Sequence, residues 1–318
     1  MGPHFEKSVC LASGISFSLL ALLITVFNGV TVIALYRDPL RRFRKTFSVF
    51  LIFIAAMDLF VGIVVSPAEA VIRLLCAFGD NSSPKEGDVP RILGYIGVNS
   101  SILLATAMSV DRLFSVVCPH FYLRKVRPKT IAFCNATIVV LSSIFASLQL
   151  ADVSLDVYVL VDIHLHTTFP LVTTILAYTG IFIALKKSRS RIDFQRHSSV
   201  PDNPTLRDLR RVKNTQKQQR YATTSFFILF FLIICLVPYF VVILIEADCD
   251  GCHEQKWWLI LKVTSEIFLF VNSTVNPILT TFRLNELKQS ILVLFFRRDN
   301  ISNVADLGDQ HFQISSAN

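Results

Sequence analysis

Charge is scarce in this chain: only 17% of its 318 residues are Asp, Glu, Lys or Arg, against 53% hydrophobic residues that include 27 Phe. A soluble domain must wet its surface, so a water-exposed globule is excluded and the apolar surplus is assigned to hydrocarbon. The seven Cys form no paired CxxC motifs and no Cys/His zinc spacing, and stretches 77–117 and 135–234 hold no Cys at all. A structural zinc is therefore not expected. There is no nucleophile elbow, no HExxH and no P-loop lysine, so neither an enzyme nor a catalytic cofactor is expected. The N-terminus lacks a basic stretch followed by a small-residue cleavage site, so no signal peptide is expected and the first apolar run serves as its own insertion signal. No internal repeat is visible, which counts against a secondary transporter.

What is present is a series of long apolar runs. About 20 apolar residues cross the roughly 30 Å of hydrocarbon as a helix. Seven stretches qualify, at about 11–36, 48–76, 91–117, 130–150, 158–185, 221–246 and 257–281. Backbone groups in lipid must pair internally, so each is predicted helical and the fold class is an all-α membrane bundle of seven helices. Residues 150–166 alternate polar and apolar and blur the boundary between the fourth and fifth. After the seventh run, 283–297 repeats apolar residues at helical spacing between basic ends, which suits a short amphipathic helix on the inner membrane surface. The division is thus one membrane domain over 1–298 and a polar tail over 299–318, expected to be disordered.

The loops orient the bundle. The first reads YRDPLRRFRK, the third FYLRKVRPK, and the fifth, 186–220, carries eleven Lys/Arg against three Asp. The second, fourth and sixth are acidic or nearly neutral. By the positive-inside rule the odd loops are cytoplasmic and the N-terminus is outside, as in a multi-pass plasma-membrane protein. The net charge of +8 is then a topology signal and not a nucleic-acid footprint.

Short motifs fall one per helix. The first run has Asn28 in FNGVTVIALY, the second Asp58 in AAMDL, and the third ends SVDRLFSVVCP with Asp111, Arg112 and Pro119. The fifth has Pro170 followed by Tyr178, the sixth Pro238 in CLVP, and the seventh NSTVNPILT with Asn276 and Pro277. In this order they resemble the rhodopsin-like (class A) G protein-coupled receptors over essentially the whole chain, nearest in look to the adenosine and melanocortin receptor group. The resemblance implies a receptor that passes an extracellular small-molecule or peptide signal to a heterotrimeric G protein, with Asp111, Arg112, Tyr178, Asn276 and Pro277 serving coupling and activation. It also implies a sodium pocket. Asp58 sits mid-helix, where an unpaired carboxylate costs several kcal/mol, and Ser101, Asn272, Ser273 and Asn276 lie at similar depth with the oxygens a hard cation takes. The other reading is a hydrogen-bonded polar knot with water and no ion.

Departures from the family are equally specific. Without a Cys near the outer end of the third helix, the usual bridge to the second extracellular loop cannot form. Cys10, Cys76, Cys249 and Cys252 are external, and Cys249 with Cys252 in DCDGC either closes a small loop or remains two thiols. Leu236 replaces the sixth-helix Trp and Thr280 the seventh-helix Tyr. The acidic partner of Arg112 near the start of the sixth helix is missing, which predicts a looser resting state. Gly94 replaces the carboxylate that anchors amines, and Phe270 the retinal Lys of opsins. The groups left for a ligand in the outer half are Glu69 after Pro67, Asp162 and His166, which share a face at i, i+4, Glu266 one turn from Lys262, and Phe270. Collectively acidic, they point to a cationic or peptide-like ligand; in the bland alternative Glu266 only pairs with Lys262. Asn81 in NSS is the outward-facing glycosylation sequon. Two further alternatives are a non-signalling or constitutively active heptahelical protein that modulates other receptors, and an ion transporter or channel.

Overall fold

The computed structural model describes residues 3–40, 43, 46–79, 89–150, 154–198, 206–249, 251 and 255–295. Asn81, Cys252 and the tail 299–318 lie outside the described residues. The chain runs as α1 (Pro3–Arg37), α2 (Thr46–Phe78), α3 (Val89–Val117), α4 (Pro128–Ser147), α5 (155–198), α6 (Leu206–Asp248), α7 (Lys256–Arg283) and α8 (Asn285–Phe295). A short helix, Pro119–Lys125, sits between α3 and α4. No strand occurs among the described residues, and seven helices are long and apolar enough to cross a membrane.

Polarity is arranged inside out. Asn28, Asp58, Ser66, Ser100 and Asn135 are fully buried, whereas Leu22, Phe133, Leu176 and Phe182 are exposed on the rim. Lipid solvates apolar side chains, while polar groups must find partners within the bundle. α3 is the most buried span, and α4 and α5 are the least.

α1 begins at Pro3, well before the apolar run that starts near residue 11, and its first turns are tied to α2 through Cys10. Cys10 and Cys76 form a disulfide with Cα atoms 6.0 Å apart. The sequence marks both as external but does not pair them, since 66 residues separate them and only folding brings them together. Below the bridge the two helices approach closely. A Cβ on Gly62 would lie 2.8 Å from Ile24 Cγ2 and 2.9 Å from the Thr25 backbone nitrogen, and Ser66 Oγ donates to the Phe17 carbonyl at 3.0 Å. Small residues at such contacts let backbones approach and gain dispersion in lipid. Gly62→Ala is expected to cost about 1–3 kcal/mol, because backbone and not a flexible side-chain tip stands in the way. A thermal unfolding midpoint in detergent equal to that of the parent chain would contradict this.

Two prolines carry the same local solution. Proline cannot donate to the helical ladder and its ring crowds the preceding turn. In α2 a π-turn over Val61–Val65 precedes Pro67, and in α5 another over His164–Thr168 precedes Pro170. Ser66 N–H reaches Val61 O, and Phe169 N–H reaches His164 O. The wider turn absorbs the ring and re-aims the side chains beyond it.

Candidate functional site

Three polar clusters line the axis of the bundle, one at mid-depth, one at the inner end and one in the outer half.

At mid-depth, Asp58 on α2 is fully buried. Its Oδ1 accepts from Ser273 Oγ at 2.8 Å and Ser101 Oγ at 3.3 Å, and its Oδ2 from Asn276 Nδ2 at 2.9 Å. Four of the five residues predicted here are thus brought into one cluster by α2, α3 and α7. Asn272 does not bond Asp58; it lies on the wall of an adjoining cavity with Ser101, Ser273, Val61, Leu236 and Phe270, large enough for a water or a small ion. The side-chain oxygens of Asn272 and Asn276 are buried without a hydrogen-bond partner. A carboxylate, two hydroxyls and two unpaired amide oxygens form a donor set that fits a hard monovalent cation. Asn28 ties α1 to the same level, its Nδ2 donating to Ser273 O at 2.9 Å.

At the inner end of α3, Arg112 is only 2% exposed. Its guanidinium pairs with the neighbouring Asp111 carboxylate and donates to Tyr122 Oη at 3.1 Å and Thr46 Oγ1 at 3.4 Å. Tyr122 Oη in turn donates to Asp111 Oδ1 at 2.8 Å. Burial pushes the Tyr122 phenol well above the ordinary tyrosine range, so it keeps its proton and acts as a donor at any physiological pH. The arginine also lies over the Phe47 ring at 5.1 Å, and Phe47 stacks on Tyr221 of α6 at 4.7 Å. The expectation of a loose resting state from the missing acid on α6 is therefore modified. Arg112 is held by α2 and the short helix after α3, and α6 is tied through an aromatic stack. Tyr178 is not in this cluster. It packs edge-on against Phe226 at 5.3 Å, among apolar side chains of α3 and α6.

In the outer half, Asp162 and His166 come together as their spacing suggested, with His166 Nδ1 2.9 Å from Asp162 Oδ1. The same oxygen accepts from Asn99 Nδ2 of α3 at 2.9 Å. His166 is 2% exposed and its Nε2 has no partner among the described residues. Glu266 does not turn to Lys262 for its ion pair; it reaches across to Arg73 on α2, which also lies 3.9 Å from Glu69. Tyr239 on α6 is hydrogen bonded to Tyr95 of α3 and lies within electrostatic reach of both Glu266 and Asp162. Phe270 is buried in the seam with α1, edge-on to Phe17 at 4.9 Å. It lines the cavity beside Asn272 and Ser101.

The loop cysteines are half visible. Cys249 is disulfide-bonded, and its predicted partner Cys252 lies outside the described residues. Sequence inspection missed Arg73, Asn99, Thr46, Tyr122 and the Cys10–Cys76 bridge. Arg73 carried a usable signal, a charge within an apolar run. Asn99 and Tyr122, uncharged and outside the motifs, carried no such signal.

Comparison with known proteins agrees with this geometry. The sequence pattern of the 7 transmembrane receptor (rhodopsin family) matches residues 27–155 and 150–279. A D(1)-like dopamine receptor of Takifugu rubripes is 23% identical, over 87% of this chain and 68% of that receptor. Histamine H2 receptors of Cavia porcellus and Rattus norvegicus are each 26% identical, over 83% and 86% of this chain and 74% and 76% of the relatives. The likeness of the second and third helices to adenosine receptors stays a remark on short motifs beside these whole-chain matches. Because the matched residues run from α1 to α7 and the relatives are receptors along the same length, the chain belongs to the rhodopsin family of seven-transmembrane receptors: it is a G protein-coupled receptor and not an enzyme.

Proposed function

We propose that this receptor sits in the plasma membrane with its N-terminus outside and binds a small cationic ligand in the outer chamber, Asp162 taking the positive charge. One observation carries this reading. Asp162 Oδ1 is fixed by Asn99 and His166, while its Oδ2 accepts no hydrogen bond from any described residue. A carboxylate oriented by two neighbours and left with a free oxygen is preorganised for a cation, because the ordering cost has been met before binding. The relatives named for dopamine and histamine are consistent with an amine, even though Gly94 offers no carboxylate on α3. The anchor is then on α5. Glu69, Glu266 and Lys262 set the charge of the opposite wall, and Phe270 closes the base.

Asp58, Ser101, Ser273, Asn272 and Asn276 hold a sodium ion, which stabilises the resting arrangement of α2, α3 and α7. On the inner side, release of Arg112 from Asp111 and Tyr122 presents it to a heterotrimeric G protein. A transporter or channel is disfavoured, because three hydrogen bonds close around Asp58, the carboxylate a through-path would need.

The test is guanine-nucleotide exchange in membranes from expressing cells, against a panel of amines, nucleosides, peptides and lipids. An amine is expected to drive exchange, and Asp162→Asn to weaken it about 100-fold, on the scale of losing one desolvated charge pair. Activation by a neutral lipid or nucleoside, unchanged in Asp162→Asn, would reject the ligand assignment.

A further inference from the structure

The two carboxylates within reach of Tyr239 are not equivalent. Asp162 has an oxygen that no described residue bonds, whereas Glu266 is paired with a cation that belongs to the chain. Arg73 reaches it from α2, and both side chains are only 21% exposed. Two contacts that need no ligand hold Arg73 there, and a covalent bridge fixes its helix. Glu69, one turn before it, lies 3.9 Å from Nε, the Phe17 ring lies 6.0 Å from the guanidinium carbon, and Cys76, less than a turn beyond, is bridged to α1. A guanidinium restrained in this way loses little freedom on pairing and is slow to give up its place.

We infer that Arg73 is a specificity-determining residue, a tethered counter-cation that occupies Glu266 and restricts the receptor to ligands with a single positive charge. This rests on the preceding reading, in which Asp162 takes the ligand's cation. A monocation meets Asp162 and leaves the Arg73–Glu266 pair intact. A dication with separated charges brings its second charge toward Tyr239 and Glu266, where it meets Arg73 instead of an open carboxylate. Like charges at close range exclude the wrong partner more sharply than any loss of contact. Arg91, also within electrostatic reach of Glu69, adds to the positive side of this wall. The balance turns on Arg73, because among the described residues it is the cation paired directly with Glu266.

The probes are tyramine, a monocation, and agmatine, a dication carrying an amine and a guanidinium. Their binding is read from ligand-dependent thermal stabilisation of the purified full-length receptor in detergent. Tyramine is expected to stabilise the parent protein and Asp162→Asn to abolish that. Arg73→Gln is expected to raise agmatine affinity at least about tenfold with tyramine unchanged. The double variant Arg73→Gln with Glu266→Gln is expected to lose the gain. Arg73→Lys keeps a cation with fewer donors, and is expected to raise agmatine affinity about threefold. It stands in if Arg73→Gln does not fold. Agmatine affinity indifferent to Arg73, with tyramine still bound through Asp162, overturns this inference alone. No stabilisation by either amine in any variant overturns the cation-anchor reading and this inference with it.

Discussion

Tyr122→Phe is expected to raise basal nucleotide exchange about tenfold, while Arg112→Ala abolishes agonist-driven exchange. The two substitutions act on one cluster in opposite ways. Tyr122 Oη donates to Asp111 and accepts from Arg112, and hydrogen bonds to charged groups contribute about 1.5–3 kcal/mol each. In the proposed mechanism Arg112 leaves the cluster to meet the G protein, so losing the hydroxyl while keeping the ring removes that stabilisation from the resting arrangement only. A shift of about 1.4 kcal/mol is a factor of ten in the equilibrium between the two arrangements. The phenol stays protonated throughout the physiological range, so its grip on Asp111 is not expected to vary with cytoplasmic pH. Arg112→Ala differs in kind: it removes the group proposed to meet the G protein and leaves Asp111, 7% exposed, with only Tyr122 as a described partner. A buried charge stripped of its partner costs about 3–5 kcal/mol, so the variant is also expected to unfold at lower temperature. Exchange measured in membranes at matched expression decides the matter. Basal exchange in Tyr122→Phe equal to the parent's would show that Tyr122 does not hold the resting state.

Asp58→Asn is expected to abolish any effect of sodium on agonist affinity. Asn is nearly isosteric, its side-chain oxygen can still accept from Ser273, and the residual cost to the fold is that of one re-formed hydrogen bond, about 1 kcal/mol. The charge, however, is gone, and with it the attraction that offsets dehydration of a cation in a closed cavity. In the parent receptor, raising sodium chloride against choline chloride is expected to lower agonist affinity; in the variant the two salts give one curve. Sodium sensitivity persisting in Asp58→Asn would remove the ion from the reading and leave a hydrogen-bonded polar knot.

How much of the site was legible in the sequence depended on how far its partners lie apart and whether they announce themselves. Asp58 announced itself, being a carboxylate in an apolar run, and helix depth alone brought Ser101, Ser273 and Asn276 to it. Asp162 and His166 met because they are four residues apart on one helix, a spacing the π-turn left intact. Arg112 was marked by its position, but its true partners were hidden. The search for an acid on α6 overlooked Tyr122, a residue with no charge and no motif. Glu266 was legible as a buried acid, yet its pairing with Arg73 was not, because 193 residues separate them and a nearer cation, Lys262, stood one turn away.

Seven spans follow from the sequence by itself, because hydrocarbon imposes one rule on every residue: satisfy the backbone within the helix and keep charge away from lipid. That rule is local and additive, so it can be read residue by residue. The partners of the buried polar residues were placed only by the tertiary structure. They are the bridge from Cys10 to Cys76, the tyrosine that holds Arg112, and the arginine that fills Glu266. Each depends on how helices approach and rotate, set by Gly62 against Thr25 and by the wider turns before Pro67 and Pro170. Such contacts fall off within a few ångströms and leave no periodic trace in the chain.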